Sequence, residues 1–299
     1  LGMMCLSGTV SAQTTVNYTE FEQKVLDYSQ TLKQSVSQRT AMQKAMKAAK
    51  TAFFPAVDAT GSYQYRINKY DMDFGGMAVP MEHDSYSAEV GVVQPIYAGG
   101  SIYHTYKASQ IQSQIADKSV DLTTDNLIYA AEASYWGTAA QKEMYKTMCQ
   151  YVEIISQLTK VLQDKYDDGY ISKTDLIQMQ TRLKEAELQR SSSYQSYQIA
   201  LQNMNVLMGL EPDKEVGLVD SIFVELPLPA YVGADAALNV RPDYAISQLD
   251  VDYQKRQVKL AAAKYNPSLS IGFKETWGTQ MLNISGETMF NSNVYASVK

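Results

Sequence analysis

The chain has 299 residues, with 26 Lys and Arg against 32 Asp and Glu and a net charge of −6. No clustered positive surface of the kind that binds nucleic acid is present, so no nucleic-acid partner is expected. Hydrophobic residues make up 45%, enough for a core, and two Cys with two His allow neither a zinc cluster nor a disulfide framework. No run of about 18 apolar residues occurs, which excludes a transmembrane helix and leaves a β-barrel open.

Residues 1–12 read as the back half of a secretory signal. An apolar stretch ends in Val10-Ser11-Ala12, a small-residue cleavage pattern, with Gln13 as the mature start. No initiating Met or basic segment precedes it, so the sequence is expected to begin inside the signal. Cys5 follows Gly2-Met3-Met4 and lacks the flanking pattern of a lipoprotein cysteine. Export without a membrane helix leads to the periplasm, the exterior, or an outer membrane crossed by a barrel.

From Tyr18 to Thr51 the Gln-, Lys-, Ala- and Met-rich pattern predicts one helix, stopped by Phe53-Phe54-Pro55. Residues 55–65 then alternate, with Val57, Ala59, Gly61, Tyr63 and Tyr65 on one face and Asp58, Thr60, Ser62 and Gln64 on the other. A polar loop from Asn68 to Ser85 leads into a second strand at 86–97, with Tyr86, Ala88, Val90 and Val92 on its apolar face. That strand leaves through Gln94-Pro95-Ile96-Tyr97-Ala98-Gly99-Gly100.

Between Ser101 and Tyr166 there is no Pro and only one Gly, Gly137, which predicts a helix of about 100 Å. Its last turns place Met148, Val152, Ile155, Leu162 and Tyr166 on one seam, interrupted by Thr159. After a break at 167–172, a second helix runs to Met208. Its inner positions, spaced three and four apart, run from Leu176 through Met179, Leu183, Ala186, Arg190 and Ser193 to Leu207. So short a connector forces an antiparallel hairpin spanning 101–208. Gly169 suits a left-handed helix end, and Ser172 with Asp175 forms a capping-box start. An irregular stretch follows at 211–240, and a third helix opens at Arg241-Pro242-Asp243 and reaches about Lys264.

The order helix, Pro, strand, loop, strand occurs twice, at an offset of 212 residues that puts Pro55 on Pro267 and Lys47 on Lys259. In the second copy Leu269, Ile271, Phe273 and Trp277 share a strand face, with Glu275 as the exception. Phe290, Val294, Ala296 and Val298 share a face of the last strand. The expected organisation is a first repeat at 13–210, a connector at 211–240 and a second repeat at 241–299. The second repeat stops at Lys299 before the counterpart of the Gly99-Gly100 exit, so one helical hairpin is expected to be missing.

Each strand is long enough to cross a bilayer with one apolar face. Four strands cannot close a membrane barrel, whereas three copies supply twelve. On strand pattern alone, an ordinary antiparallel sheet with a solvated face is an equal reading. Pro55, Pro95, Gly99, Gly100, Pro242 and Pro267 are expected at structural turns.

The repeat, the Gln94–Gly100 exit, the turn Tyr166–Leu176, the run Leu207-Met208-Gly209-Leu210 and Arg241-Pro242-Asp243 together resemble the TolC family of outer-membrane efflux proteins. The resemblance covers residues 18–299. It implies an α+β membrane protein, a homotrimer whose twelve-stranded β-barrel, four strands per protomer, lies in outer-membrane lipid and continues as a long antiparallel α-helical barrel. The 211–240 connector would be equatorial. Passive export would be powered by an inner-membrane transporter through a periplasmic adaptor. Val57, Ala59, Tyr63, Val90, Val92, Leu269, Ile271 and Phe273 would face lipid. The adaptor would dock at the hairpin tip, at Asp168, Gly169, Tyr170, Ile171 and Ser172. The family's usual Val-Gly-Leu turn is matched here by Asp168, Gly169 and Tyr170, with only the glycine in common. Family gate residues lie in the second hairpin, so none is named here.

Catalytic chemistry is not evident. His83 and His104 lack partners at metal-ligand spacing, Asp71-Met72-Asp73 lacks a calcium-loop continuation, and no phosphate-loop motif occurs. No enzyme activity, metal or cofactor is expected. The alternative is a periplasmic coiled-coil adaptor or an exported helical scaffold, for which the duplicated amphipathic strands have no use.

Overall fold

The computed structural model describes residues 14–67, 71–73, 75–76, 78–80, 83–223, 233–279 and 288–299. The signal remnant, Cys5 and residues 68–70, 74, 77 and 81–82 of the expected loop lie outside them. In chain order the elements are β1 (Thr14–Val16), α1 (Tyr18–Tyr28), α2 (Gln30–Thr51), β2 (Ala56–Tyr65), β3 (Asp71–Asp73), β4 (Ala78–Pro80), β5 (Asp84–Ala98) and α3 (Ser101–Asp167). They continue with α4 (Lys173–Leu207), β6 (Val216–Leu218), α5 (Ala234–Val240), α6 (Pro242–Ala262), a 3-10 turn (Ala263–Tyr265), β7 (Ser268–Gly278) and β8 (Met289–Val298). The helix–Pro–strand–loop–strand order recurs as expected: α2 and Pro55 precede β2 and β5, and α6 and Pro267 precede β7 and β8. The chain divides into two compact units, Leu1–Val36 with Val120–Val240, and Ser37–Ser119 with Arg241–Lys299.

The first unit holds a helical hairpin. Seam positions Leu176, Ala186, Ser193 and Met204 of α4 are buried, as is Val152 of α3, while Thr159 sits half-buried in the gap of the α3 seam. Arg190 is exposed, so the predicted seam is broken at that one position. Where the hairpin meets the rest of the unit, Val16, Phe21, Val25, Ala131, Tyr135, Leu201, Met204, Met208, Val216 and Leu218 form a buried cluster. Strand β1 pairs in parallel with β6 across this cluster, Val16 opposite Leu218. Asn205 is fully buried, and its Nδ2 donates to the carbonyls of Pro212 (3.0 Å) and Lys214 (2.7 Å), which ties the start of the connector to α4.

The single helix expected over Tyr18–Thr51 is two helices. Ser29 leaves helical geometry at φ −50°, ψ 116°, and serves both ends: its N–H donates to the Val25 carbonyl, and its Oγ accepts from the Leu32 N–H at 3.2 Å. A serine can stand in for backbone partners on both sides of a break. Periodicity across residues 18–51 does not register this, because the apolar spacing passes through the break.

The second unit is built on an antiparallel sheet of order β2-β5-β7-β8. The strands begin and end within two residues of expectation, β5 starting at Asp84 rather than Tyr86. Pro95, expected at a turn, lies instead inside β5 opposite Ser270, at a register shift between Pro95 and Tyr97. The pairing of β5 with β2 ends at Val93. Beyond that point one side of β5 is an edge, and a bulge there accommodates a residue that lacks an N–H.

Candidate membrane face and hairpin tip

Directly paired residues on antiparallel strands share a face. The register therefore builds level rows: Val57, Val92, Phe273 and Val294; then Ala59, Val90, Glu275 and Ser292; then Gly61, Ala88, Trp277 and Phe290; then Tyr63 and Tyr86. Leu269 and Ile271 lie on the same side by alternation. All eight residues expected to face lipid thus stand on one side of one sheet. Among the described residues nothing covers this surface: Val57 is 69% exposed, Val294 78% and Phe290 73%. Glu275 is the charged exception, and its carboxylate accepts the Ser292 hydroxyl at 2.6 Å.

The opposite side is polar. Asp58, Gly91, Lys274 and Asn293 form one row, and Thr60, Glu89, Thr276 and Asn291 the next. Lys274 pairs with Glu89 at 2.6 Å, and Ser62 with Ser87 at 2.8 Å. The Tyr295 ring occupies the space beside Gly272, where an added Cβ would come within 2.4 Å of it.

The aromatic ends of the apolar side are built by contact. Tyr86 meets Trp277 edge-on at 5.7 Å, Trp277 packs on Phe290 at 6.4 Å, and at the other end Phe53 meets Tyr106 at 5.9 Å. Gly99 and Gly100 turn the chain from β5 into α3 at φ +61° and +88°. A Cβ on Gly99 would lie 2.5 Å from the Ala263 carbonyl, and Asn266 Nδ2 donates to the Gly99 carbonyl at 3.0 Å. The exit of the first repeat is thereby locked onto the matching turn of the second. Pro55 and Pro267 lie between helix and strand as expected, and Pro242 is the first residue of α6.

At the hairpin tip the Tyr170 N–H donates to the Lys165 carbonyl (2.8 Å) and the Gly169 N–H to the Tyr166 carbonyl (2.9 Å), with Gly169 at φ +81°. This is a Schellman helix end. A side chain at Gly169 would meet open space, so the glycine is there for its backbone conformation alone. Ser172 and Asp175 cap α4 reciprocally. Asp168, Gly169, Tyr170 and Ser172 are exposed, Tyr170 to 80%, and Ile171 is half-exposed.

Sequence reasoning missed a polar node in the first unit. The Tyr135 hydroxyl lies 2.7 Å from Asp220 Oδ2 and 3.1 Å from the Val16 carbonyl, and the same carboxylate accepts the Tyr18 N–H at 2.8 Å. Burial first, and the Asp220 carboxylate second, push the Tyr135 hydroxyl well above the ordinary tyrosine range. Burial, followed by a hydrogen bond to Glu22, pushes Tyr18 up to about 12. Asp220 directly follows the Val216–Val219 run, but nothing local in the sequence marks its partners.

Among the described residues no group of three or more His, Cys, Asp or Glu side chains is placed to hold a metal ion. No helix there is long and apolar enough to cross a membrane.

No curated protein sequence matches the chain. Among solved structures, it is similar to the outer membrane channel CmeC of Campylobacter jejuni, with TM-score 0.74 and 14% identity over 99% of this chain and 66% of that one. It is similar to the outer membrane protein VceC of Vibrio cholerae (TM-score 0.74, 13% identity, 94% of this chain and 67% of that one). It is also similar to CusC (TM-score 0.76, 12% identity, 95% and 66%), whose structures concern folding and transmembrane channel formation. At these identities the likeness shows the fold, a TolC-like mixture of helices and sheet, and the chain spans about two thirds of the length of these structures. The family model for outer membrane efflux proteins matches residues 22–210. The chain therefore belongs to the outer membrane efflux protein family, TolC-like proteins of the outer membrane with a periplasmic extension.

Proposed function

We propose that the chain is the outer-membrane channel component of a tripartite efflux or type I secretion system. Three copies close their sheets into a twelve-stranded barrel that continues as an α-helical barrel, a passive conduit from periplasm to exterior. The protein performs no catalysis and binds no cofactor. Its hairpin tip, Asp168 to Ser172, docks a periplasmic adaptor and through it an inner-membrane transporter. The adaptor and scaffold alternatives have no role for a sheet of this kind.

The observation that carries this reading is the sheet itself. It has one mainly apolar face, interrupted by the Glu275–Ser292 pair, and one polar face, and among the described residues β2 pairs only with β5 and β8 only with β7. In lipid an unpaired strand edge is not tolerated, so both outer strands need partners from other copies. Head-to-tail pairing of β8 with the next copy's β2 closes a ring, and twelve strands fall within the range of membrane barrels. The polar face, with Asp58, Glu89 and Lys274, then lines a water-filled lumen.

The test is disulfide trapping between edges. A cysteine at Thr60 on β2 is combined in turn with one at Met289, Asn291 or Asn293 on β8, and outer membranes are oxidised. One pairing is expected to give cross-linked species that stop at three chains. Absence of any inter-chain product, or ladders running past three, would overturn the closed trimer.

A further inference from the structure

The helices that adjoin the sheet carry an unusual charge distribution. Segments 43–55, 99–116 and 253–267, which flank the strands at the end opposite the Tyr63–Tyr86 row, contain eight Lys and Arg and no Asp or Glu, although the chain as a whole is net negative. Four of these cations line one cavity of about 440 Å³ between α3 and α6: Lys107, Lys255, Arg256 and Lys259. Gln110 and Gln114 add amide donors to its wall. Asp252 is the only carboxylate in the lining, and Lys255 holds it at 2.9 Å. The Arg256 and Lys259 side chains have no hydrogen-bond or ion-pair partner among the described residues. The field is felt locally: after its own partial burial, the Arg256 and Lys259 charges are what depress the His104 imidazole.

Two further observations say which way the cavity opens and how deep it lies. Tyr103, Lys107, Gln110 and Gln114 recur three and four residues apart, so they share one face of α3. Tyr103 lines an apolar cavity of about 180 Å³ with Phe53, Ile96 and Tyr97. Tyr97 is opposite Leu269 and so belongs to the apolar side of the sheet. Lys107 of the basic cavity and Tyr103 of the apolar one thus lie one turn apart on the same face of α3, which points the basic cavity toward the surface assigned to lipid. Lys107 is seven residues past Gly100 and Lys259 eight before Pro267, which puts both about 10–12 Å beyond the strand ends. Long cationic side chains snorkel upward over such distances to the headgroup layer, which is about 5–8 Å thick on each side of the hydrocarbon.

We propose that the α3–α6 cavity of Lys107, Lys255, Arg256 and Lys259 is a seat for the phosphate headgroup of an anionic phospholipid in the periplasmic leaflet. The seat rests on the barrel orientation argued above and goes beyond it, since a conduit needs no lipid site. A headgroup phosphodiester bound there would meet a guanidinium, ammonium groups and amide donors. The acyl chains would continue along Tyr103, Tyr97 and Ile96 onto the apolar face.

The test uses full-length protein reconstituted in vesicles of equimolar phosphatidylethanolamine and phosphatidylglycerol, then exchanged into detergent. Lipid retained per chain is measured by mass spectrometry, and the particle mass is measured in the same sample by light scattering. Wild type is expected to retain phosphatidylglycerol over phosphatidylethanolamine. Each cation near an anionic surface contributes about fivefold in affinity, so R256Q/K259Q should bind roughly 25-fold more weakly and lose the preference. Lys107→Gln should show a smaller loss, and Lys146→Gln, far along α3, none. Excess inorganic phosphate should leave the retained lipid in place. Equal retention by R256Q/K259Q in particles of normal mass, displacement by inorganic phosphate, or no preference in the wild type would each overturn the seat. A wild-type particle that is not a trimer would instead overturn the barrel reading.

Discussion

Val92→Arg probes the membrane face where the structure makes the sharpest demand. Along β5 the apolar side runs from Tyr97 to Tyr86, which at about 3.3 Å per residue, allowing for the bulge, is about 33 Å of strand. Tilted by about 40–45°, that length spans roughly 25 Å of depth, the height of a barrel's apolar band. Val92 lies near the middle, in a row that is apolar across all four strands: Val57, Val92, Phe273 and Val294. An arginine at the midplane of a lipid face costs about 2–4 kcal/mol per copy, hence about 6–12 kcal/mol for a trimer. Thr60→Arg, on the polar face beside Glu89, should be close to neutral, and Tyr63→Arg, at the end of the band, should cost no more than about 1 kcal/mol. The Val90 row is a poorer probe, because Glu275 and Ser292 already make it polar. The assay is urea-induced unfolding of full-length protein from phospholipid vesicles. If Val92→Arg is as stable as Thr60→Arg, the apolar face does not meet lipid and the reasoning fails.

The remaining expectations concern the helical unit. Gly169→Ala should lower the thermal stability of the hairpin by about 1 kcal/mol while Gly169→Asn costs markedly less, because the demand is for a left-handed backbone and not for space; equal losses would contradict this. Tyr135→Phe removes the hydroxyl that serves Asp220 and the Val16 carbonyl and should cost about 1–3 kcal/mol by denaturant titration. The raised tyrosines give a pH signature whose sign is fixed: their neutral forms are favoured in the fold, so their stabilisation is complete below about pH 10 and is lost as pH rises toward 12. Circular dichroism melts of Tyr18→Phe should show a shallower loss over that window than wild type. Tyr170→Asp should abolish export of a secreted or effluxed reporter in cells while outer-membrane level and oligomer mass stay normal; normal export would remove the tip from adaptor docking.

Features fixed by local chemistry were legible in the sequence. The hairpin turn could be placed because Gly169 and the Ser172–Asp175 pair act within a few residues of themselves. The apolar strand faces were legible because alternation is a period-two signal, and the register carries every one of those residues to the same side. What escaped depends on partners far away in sequence. Strands β1 and β6 are three residues each and pair across some two hundred residues, so neither has a pattern of its own. Asp220 is an ordinary connector aspartate until Tyr135 and Tyr18 are brought to it. Ser29 and Pro95 misled in opposite ways. A serine capping both sides of a break leaves helical periodicity unchanged, and a proline that reads as a turn can sit in a strand once one neighbour has ended. The cavity between α3 and α6 was not legible: Lys259 served only to align the repeat with Lys47, and it takes packing to collect the four cations around one space.

The most direct test of the central claim is the mass of full-length protein extracted in detergent from an outer-membrane fraction, measured by light scattering with the detergent contribution subtracted. Closure of the sheet into a barrel predicts particles of three chains, recovered from that membrane. Particles of two or four chains, or a monomer in the periplasmic soluble fraction, would contradict a twelve-stranded conduit.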